Sequence, residues 1–565
     1  MVNPIQIFNS RISCNINSGA KSKAIWRGIF YTFWSIFSGL AIALALPPYA
    51  VPGLIWVALV PFFALLYFPI KSERQRFFFG WIAGIAATWP TFGFFFDAAP
   101  ILRFGAEGLW TSYGLAVFGS GLPVLFFAVM HGAFLVVARR LILNKAFDVM
   151  TLASLWALFE YVRTFAYSFH PFAAGSGAIL GDHMSFGLIG YGLADYENVR
   201  QFAAVIGLYG LGFIVATSSA AAFWLLRLWK QFFEGIVSRK VFYRQTTVFS
   251  LAGAAVFSVM LFAGPMLKTW FIDFSRSVRV ALVQMNLTPE DYADPQHFEK
   301  IGKTMEPFFT SLRENKEPFD VVLAPESSGI FNRPNKPVPT LDEVKKLLGQ
   351  DSYRIIFDGI YARRGENQLA MYDNETGFVS KYSKRFLMPY GEYMPTLVAA
   401  IFRAFGQGDI LKQGIAFVPG TENAVRDTRF GKVGTMLCSE ILSPQLIRET
   451  AKDGAEIFLF SSSIAILRNS PKYHSEVLSM TKIWAAATRR YFVYAGNNEP
   501  VFVVDPAGNL VWQSQDVQPK VHVVEVKLTR GKTFYANHPF AFIYTISAYL
   551  VGVAFVTMKI KRKEA

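Results

Sequence analysis

Cysteine is scarce in this chain. There are two in 565 residues, Cys14 and Cys438, beside only seven histidines. Two cysteines cannot build a disulfide framework, and no Cys/His pair has zinc-ligand spacing. Cys14 precedes the first apolar run and Cys438 follows seven of them, so the two are expected on opposite sides of a membrane. There is no glycine-rich phosphate loop, internal repeat or low-complexity tract. No metal and no cofactor are therefore expected. Acidic residues are also short, 40 against 55 Lys and Arg, giving a net charge of +15. On a soluble protein that excess would suggest nucleic acid. Here the basic residues cluster between apolar runs, and the positive-inside bias accounts for them. Nucleic acid is not expected as a partner. Attraction to anionic lipid headgroups is a second consequence.

Apolar residues are what the chain has in abundance: 53% hydrophobic, 16% aromatic, mean hydropathy +0.31. A bilayer span needs about 20 mostly apolar residues. After a basic amino terminus (1–25), runs at 26–46, 51–70, 77–97, 109–138, 148–168, 201–226 and 247–270 predict a seven-helix membrane domain over 26–270. The first run reads as a retained helix rather than a signal peptide, because its basic lead is long and another apolar run follows at once. One more span is expected at 539–558, with a basic tail at 559–565. Lys71, Arg74, Arg76, Arg139, Arg140, Lys145, Lys230, Arg239, Lys240 and Arg244 fall on one side if the spans alternate, and so do Lys559, Lys561, Arg562 and Lys563. Arg103 is an exception, in the 98–108 loop. That bias places the basic side in the cytoplasm and residues 275–535 outside it.

Residues 275–535 differ in character. Strands are expected at 278–287, 320–324, 354–361, 368–372, 378–382, 432–437, 457–461, 491–495, 500–504 and 510–512. Helices are expected at 296–313, 341–348 and from about 443. Asp373-Asn374-Glu375-Thr376-Gly377 reads as a hairpin turn. The pattern is α/β, and about 260 residues can enclose one substantial core.

Three segments place polar groups where strands end: Ala324-Pro325-Glu326, Ser383-Lys384-Arg385 and Leu437-Cys438-Ser439-Glu440. Ligand sites in α/β sheets gather at strand carboxyl ends, so Glu326, Lys384 and Cys438 can meet there. An ammonium favours the thiolate, and a carboxylate can take the thiol proton. Lys384 and the backbone N–H of Ser439 are candidates to stabilise an oxyanion. The product of attack on a carbonyl is a thioester. Taken singly, each residue has a bland explanation. A lone cysteine is usually a buried structural thiol; Glu326 reads as a cap, Lys384 as a solvated loop residue, Glu392 as a turn residue. His474 reads as a surface loop residue. The ordered set is what is specific.

That set resembles the Glu–Lys–Cys triad of the nitrilase superfamily, and nearly the full chain resembles the apolipoprotein N-acyltransferase family. Ser38-Gly39-Leu40 with Leu46-Pro47-Pro48 and Trp56 to Pro61 is similar to that family's first two helices. Trp156, Glu160 and Arg163 match its Trp-Glu-Arg helix. Gln201, Gly207, Tyr209-Gly210 and Phe213 match the next span, and Ala281 to Gln284 the opening of the catalytic domain. The resemblance implies a polytopic α-helical membrane bundle plus an extracytoplasmic nitrilase-like domain, an α-β-β-α sandwich, in the bacterial inner membrane with that domain on the periplasmic side. It implies Glu326 as base, Lys384 as charge stabiliser and Cys438 as acylated nucleophile, with Glu392, Glu440 and Ser439 in support. The implied activity is ping-pong N-acyl transfer, from a phospholipid donor to the α-amine of a diacylglyceryl lipoprotein. Phe386, Leu387, Met388, Ile464, Ile466 and Leu467 are candidates for an apolar substrate rim, or ordinary core. The chain departs from the family at Ser439 (commonly Tyr), at Ala293 (a Trp nearby), over Ser463 to Arg468 (usually Asn-Asp-Ala-Trp-Phe-Gly) and at Trp484 to Ala487 (Arg-Ala-x-Glu). A membrane-anchored amidase or nitrilase, a non-catalytic scaffold and a transporter remain as alternatives. Glu160 and Arg163, costly in lipid, are expected to face the interior or the interface.

Overall fold

The computed structural model describes residues 20–101, 108–169, 173, 180–293, 303, 305–307, 309–310, 318–331, 338–360, 364–409, 411 and 416–564. Cys14, Arg103, and most of the helix expected at 296–313 lie outside them. Apolar sequence forms helix wherever it runs without a break: α1 (Ala20–Leu44), α2 (Glu73–Thr88), α3 (Leu109–Leu141), α4 (Asp148–Ala166), α5 (Ala203–Phe233) and α6 (Arg239–Thr269). Glycines let these helices touch. A Cβ on Gly39 of α1 would lie 2.2 Å from the Ala83 carbonyl oxygen of α2, and one on Gly132 of α3 2.7 Å from that of Phe77. Small residues at such crossings allow the close packing that holds helices together in lipid.

Among the described residues six helices are long and apolar enough to cross a membrane, against the eight spans expected. The two differences have distinct causes. The 51–70 run is not one helix. It forms short turns, Leu54–Trp56, Val60–Ala64 and Leu65–Tyr67, because Pro52-Gly53 and Pro61 interrupt it. It still passes through the bundle, from Gly53, whose N–H donates to Tyr196 Oη (3.1 Å), to Tyr67, whose ring lies 3.5 Å from the Arg227 guanidinium carbon. Irregular backbone survives at membrane depth only where protein satisfies it. Here the Ser218 and Ser219 hydroxyls donate to the Trp56 carbonyl (2.8 and 3.1 Å), Trp34 Nε1 to that of Pro61 (2.9 Å), and Arg76 to those of Leu66 and Ile70 (3.2 and 3.1 Å). The 148–168 run is helix α4, enclosed in the bundle, with Glu160 and Arg163 buried in the interior.

The α/β domain consists of β1 (Phe274–Gln284), β2 (Val321–Leu323), helix α7 (Leu341–Leu348), β3 (Ile355–Ile360), β4 (Gln368–Asp373), β5 (Gly377–Ser383), β6 (Val425–Thr428), β7 (Gly431–Leu437), helix α8 (Pro444–Lys452), β8 (Ile457–Ser463), helix α9 (Pro471–Thr488), β9 (Phe492–Asn497), β10 (Phe502–Val504), β11 (Leu510–Gln513) and β12 (Lys520–Thr529). A last helix, α10 (Ala541–Glu564), returns to the bundle. Two six-stranded sheets form, in the orders β12-β1-β2-β3-β4-β5 and β11-β10-β9-β8-β7-β6. Their facing sides share a core of Val280, Leu323, Leu437 and Leu459, while α7 covers the outer face of the first sheet. The layers are α-β-β-α. The outer face of the second sheet is covered by α8 and α9, and there the core does not stop. Phe386, Met436, Phe460 and Trp484 belong to the same apolar cluster as Phe62, Phe134 and Trp156 of the bundle.

Two polar seams orient the whole. At the domain end, Asp182 takes both Arg448 Nη atoms at 2.6 Å, the Ser185 N–H donates to the Leu442 carbonyl (3.1 Å), and Arg489 Nη1 donates to Gln201 Oε1 (2.7 Å). At the opposite end, Arg140 pairs with Glu73, Lys561 Nζ donates to the Arg140 carbonyl, and Arg227 donates to Asn144 Oδ1. The basic helix ends thus collect on the side away from the α/β domain. The Asp182–Arg448 pair is almost wholly buried. Asp182→Ala should cost about 3–5 kcal/mol by stranding a buried guanidinium. Adding Arg448→Met should restore most of the loss, as read from thermal unfolding in detergent.

Candidate active site

The strands β2, β5 and β7 all end at the same edge of the two sheets, and each hands one reactive group to the gap between them. Glu326 follows β2 after Pro325. Its loop is held by Asp358, which accepts from Ser328 Oγ (2.6 Å) and from the Ile330 and Phe331 N–H groups (3.1 and 2.9 Å). A Cβ on Gly359 would meet the Pro325 carbonyl oxygen at 2.5 Å, so only glycine lets β3 pass this loop. Lys384 follows β5. Cys438 follows β7 with φ +42°, a left-handed conformation that is uncommon for a residue with a side chain. It opens a single 3₁₀ turn, Cys438–Leu442, that turns the thiol out of the sheet.

Lys384 is 1% exposed, and its Nζ lies 3.1 Å from Glu326 Oε1 and 2.9 Å from Glu392 Oε1. Asn367 Nδ2 donates to the same two oxygens, at 2.6 and 3.1 Å, and its carbonyl accepts the Lys384 N–H at 2.8 Å. Glu440 lies on the other side of the lysine loop. Its Oε2 accepts the Leu437 N–H (2.9 Å), and its Oε1 accepts Tyr382 Oη and the Arg385 N–H (both 2.7 Å). One carboxylate thus ties the cysteine turn to the lysine loop. Ser439 Oγ adds a bond to the Phe386 carbonyl (3.1 Å), and Trp484 Nε1 donates to the Ile441 carbonyl (3.0 Å). Burial alone would lower the Lys384 pKa, but Glu326 and Glu392 outweigh it and hold the ammonium well above its usual range. Burial, and then the Glu326 charge, push the half-buried Cys438 thiol well up despite Lys384. Burial and the carboxylate charge thus outweigh the pull that the ammonium exerts toward the thiolate. Cys438 rests as a thiol and needs a base in the reaction itself.

The structure brings Glu326, Lys384, Glu392, Ser439 and Glu440 together around Cys438 and divides the proposed rim. Leu387 is fully buried against Tyr393 and Phe417, Phe386 stacks on His183, and Ile464 is core. They are packing, not rim. Met388 and Leu467 are half-buried, and Ile466 is exposed. His474 is not in a surface loop. It lies in α9, largely buried, with its ring beside Phe502 and Gln513. Asn367 and Asp358 escaped the sequence reading, because a lone Asn before a strand and a lone Asp within one carry no local signal. Glu499 escaped it too. It follows β9, wholly buried, and accepts Tyr494 Oη at 3.2 Å. Asn497 Nδ2 donates to Ser463 Oγ (3.0 Å) and the Leu287 carbonyl (3.1 Å), pinning the 463–468 segment beside Cys438 to the end of β1.

A family model described as apolipoprotein N-acyltransferase N-terminal domain matches residues 38–221, and one described as carbon-nitrogen hydrolase matches residues 279–534. The apolipoprotein N-acyltransferase of Geobacter metallireducens is 25% identical, covering 93% of this chain and 95% of its own. That of Haemophilus ducreyi is 26% identical over 80% of this chain and 85% of its own. Among solved structures, a mutant of the Nesterenkonia AN1 amidase from the nitrilase superfamily aligns with 45% of this chain and 92% of its own, at 18% identity and a TM-score of 0.31.

Burial pushes the Glu499 carboxyl up to about 8. A carboxyl whose folded value is raised holds its proton longer in the native state than in the unfolded one, so its contribution is complete below about 4.5 and is lost as pH rises through about 8. The unfolding midpoint should therefore fall between pH 5 and pH 8, and Glu499→Gln should flatten that part of the profile.

Proposed function

Because this chain belongs to the apolipoprotein N-acyltransferase family of the nitrilase superfamily, we propose that it moves an acyl chain from a membrane phospholipid, through a thioester on Cys438, to the α-amine of an amino-terminal diacylglyceryl-cysteine. The observation that carries this reading is Lys384 clamped between Glu326 and Glu392 at the strand ends that also present Cys438, in a domain whose core runs on into an apolar helical bundle. Both substrates carry lipid tails, which gives a hydrolase-like fold a reason to sit on a membrane.

Glu326 takes the Cys438 proton as the sulfur attacks the donor ester carbonyl. The Lys384 ammonium and the Ser439 N–H face the developing oxyanion. Glu326 returns the proton to the departing glyceryl oxygen, and lysophospholipid leaves. In the second half the neutral amine attacks the thioester carbonyl. Glu326 accepts its proton and passes it to the sulfur as the amide departs. Glu392 and Asn367 hold the lysine and the base in place without touching the reacting carbon. Met388, Ile466 and Leu467 are the apolar residues left to shield the thioester from water. The collection of basic helix ends away from the α/β domain supports an inner-membrane orientation with that domain on the periplasmic side.

Intact-mass and peptide mass spectrometry of the purified protein incubated with phospholipid tests the reading. An acyl adduct should form on Cys438 and vanish when a diacylglyceryl lipopeptide is added, with its N-acyl amide appearing. Cys438→Ala should give no adduct, and Glu326→Gln or Lys384→Ala should slow its formation by roughly 10²–10⁴-fold. An adduct released by water alone would make the protein a hydrolase. No adduct on a folded chain would leave it a scaffold.

A further inference from the structure

Two small cavities share Gly187 as a wall, one inside the bundle and one where the bundle meets α9 of the α/β domain. The first, walled by α2, α3, α4 and the Gly187–Ile189 strap, has about 30 Å³ of room for the centres of water molecules. His131, Trp156, Glu160 and Arg163 line it, and each is at least nine-tenths buried. Glu160 Oε2 and Arg163 Nε have no hydrogen-bond partner, while His131 leans on the Phe127 carbonyl and Trp156 on the Glu160 carboxyl. The second cavity has about 10 Å³ of such room and is walled by Leu46, Pro47, Tyr191 and Met480. Glu476 of α9 reaches it, 4% exposed, with neither carboxyl oxygen partnered. Gly187, with φ +64°, lines both.

Orphaned buried polar atoms are rare in native proteins, and each one costs free energy unless something answers it. Four of them, Glu160 Oε2, Arg163 Nε and both Glu476 oxygens, reach two spaces that share a wall. A cavity needs about 10–15 Å³ of such room for one water, and a buried water makes about three hydrogen bonds. The first space therefore suits two waters and the second one. The walls are otherwise mostly apolar, and the unanswered atoms that reach in offer both donors and acceptors to water.

We propose that the two cavities are one internal water site, in which ordered waters bridge His131, Glu160 and Arg163 of the bundle, past Gly187, to Glu476 of the α/β domain. The site adjoins the strap that seats the cysteine turn. Glu160 Oε1 accepts the Ile189 N–H (2.7 Å), and the Ser185 hydroxyl and N–H bond the Leu442 carbonyl (2.8 and 3.1 Å). Bound water shares hydrogen bonds between α4 and α9 across that strap. Burial also pushes the Glu476 carboxyl well above the usual range, so it offers both a donor and an acceptor to water. The inference stands whether or not the chain is an acyltransferase.

Cryo-electron microscopy of the full chain in lipid nanodiscs, at a resolution that shows waters, tests the site. Ordered density within about 3.2 Å of Glu160 Oε2 and of a Glu476 oxygen is expected. Empty cavities, or the elongated density of an acyl chain, would overturn the proposal. Thermal unfolding provides a second arm with opposite signs. If water answers Glu476, then Glu476→Leu lowers the midpoint by about 2 °C or more, while Glu476→Gln stays closer to wild type. If the cavity is dry, removing an unanswered carboxyl raises the midpoint, and the proposal fails.

Discussion

Everything near the site depends on keeping one ammonium out of water. Lys384 is 1% exposed, and moving a charge that far from solvent costs several kcal/mol unless partners replace the water. Glu326 and Glu392 form that replacement shell, and Asn367 Nδ2 donates to both of their carboxylates. The shell works only if its members cannot drift, which explains the number of bonds spent on the loops around it. Glu440 fixes the lysine loop to the cysteine turn, and Asp358 fixes the loop after Glu326. The same electrostatics raise the thiol rather than lower it, since burial and Glu326 act on Cys438 more strongly than Lys384 does.

The second constraint is continuity. The apolar cluster that begins among the aromatic rings of the bundle ends against the back of β7, β8 and β9. The α/β domain is therefore not tethered to a membrane anchor; its outer helical layer is shared with the bundle. Buried polar contacts fix the angle of that shared layer, with Asp182 on Arg448 and Gln201 on Arg489.

The sequence made the α/β layering legible because strand ends carry turn residues and alternate in polarity. The hairpin at 373–377, the helix Leu341–Leu348 and the strands at 432–437 and 457–461 needed no tertiary information. The bundle was harder. The 51–70 run has the hydropathy of a span but crosses as broken turns, because serines, Trp34 and Arg76 far away in the chain answer its carbonyls. The strand Lys520–Thr529 was not anticipated, although Val524, Val526 and Leu528 turn to the core between Glu525 and Lys527. Around Cys438 the residues of the triad were recognisable from their places after strands. Asn367 and Glu499 were not, since their importance comes from which atoms they reach and not from any pattern in their neighbourhood. For Leu387 and Ile464 rim and core were both open from sequence, because hydrophobicity next to a site does not distinguish a wall from the core behind it.

In the proposed reaction Glu326 removes the proton from a Cys438 that rests as a thiol. Alkylation of Cys438 by iodoacetamide across pH, in wild type and Glu326→Gln, tests this most directly, with the modified peptide quantified by mass spectrometry. Alkylation should be slow at pH 7, with a rate still climbing above pH 9, beyond the midpoint near 8.5 of a free cysteine. Removing the Glu326 charge should move that climb to lower pH. A rate that has already levelled off below pH 7, unchanged in Glu326→Gln, would mean a preformed thiolate and would contradict it.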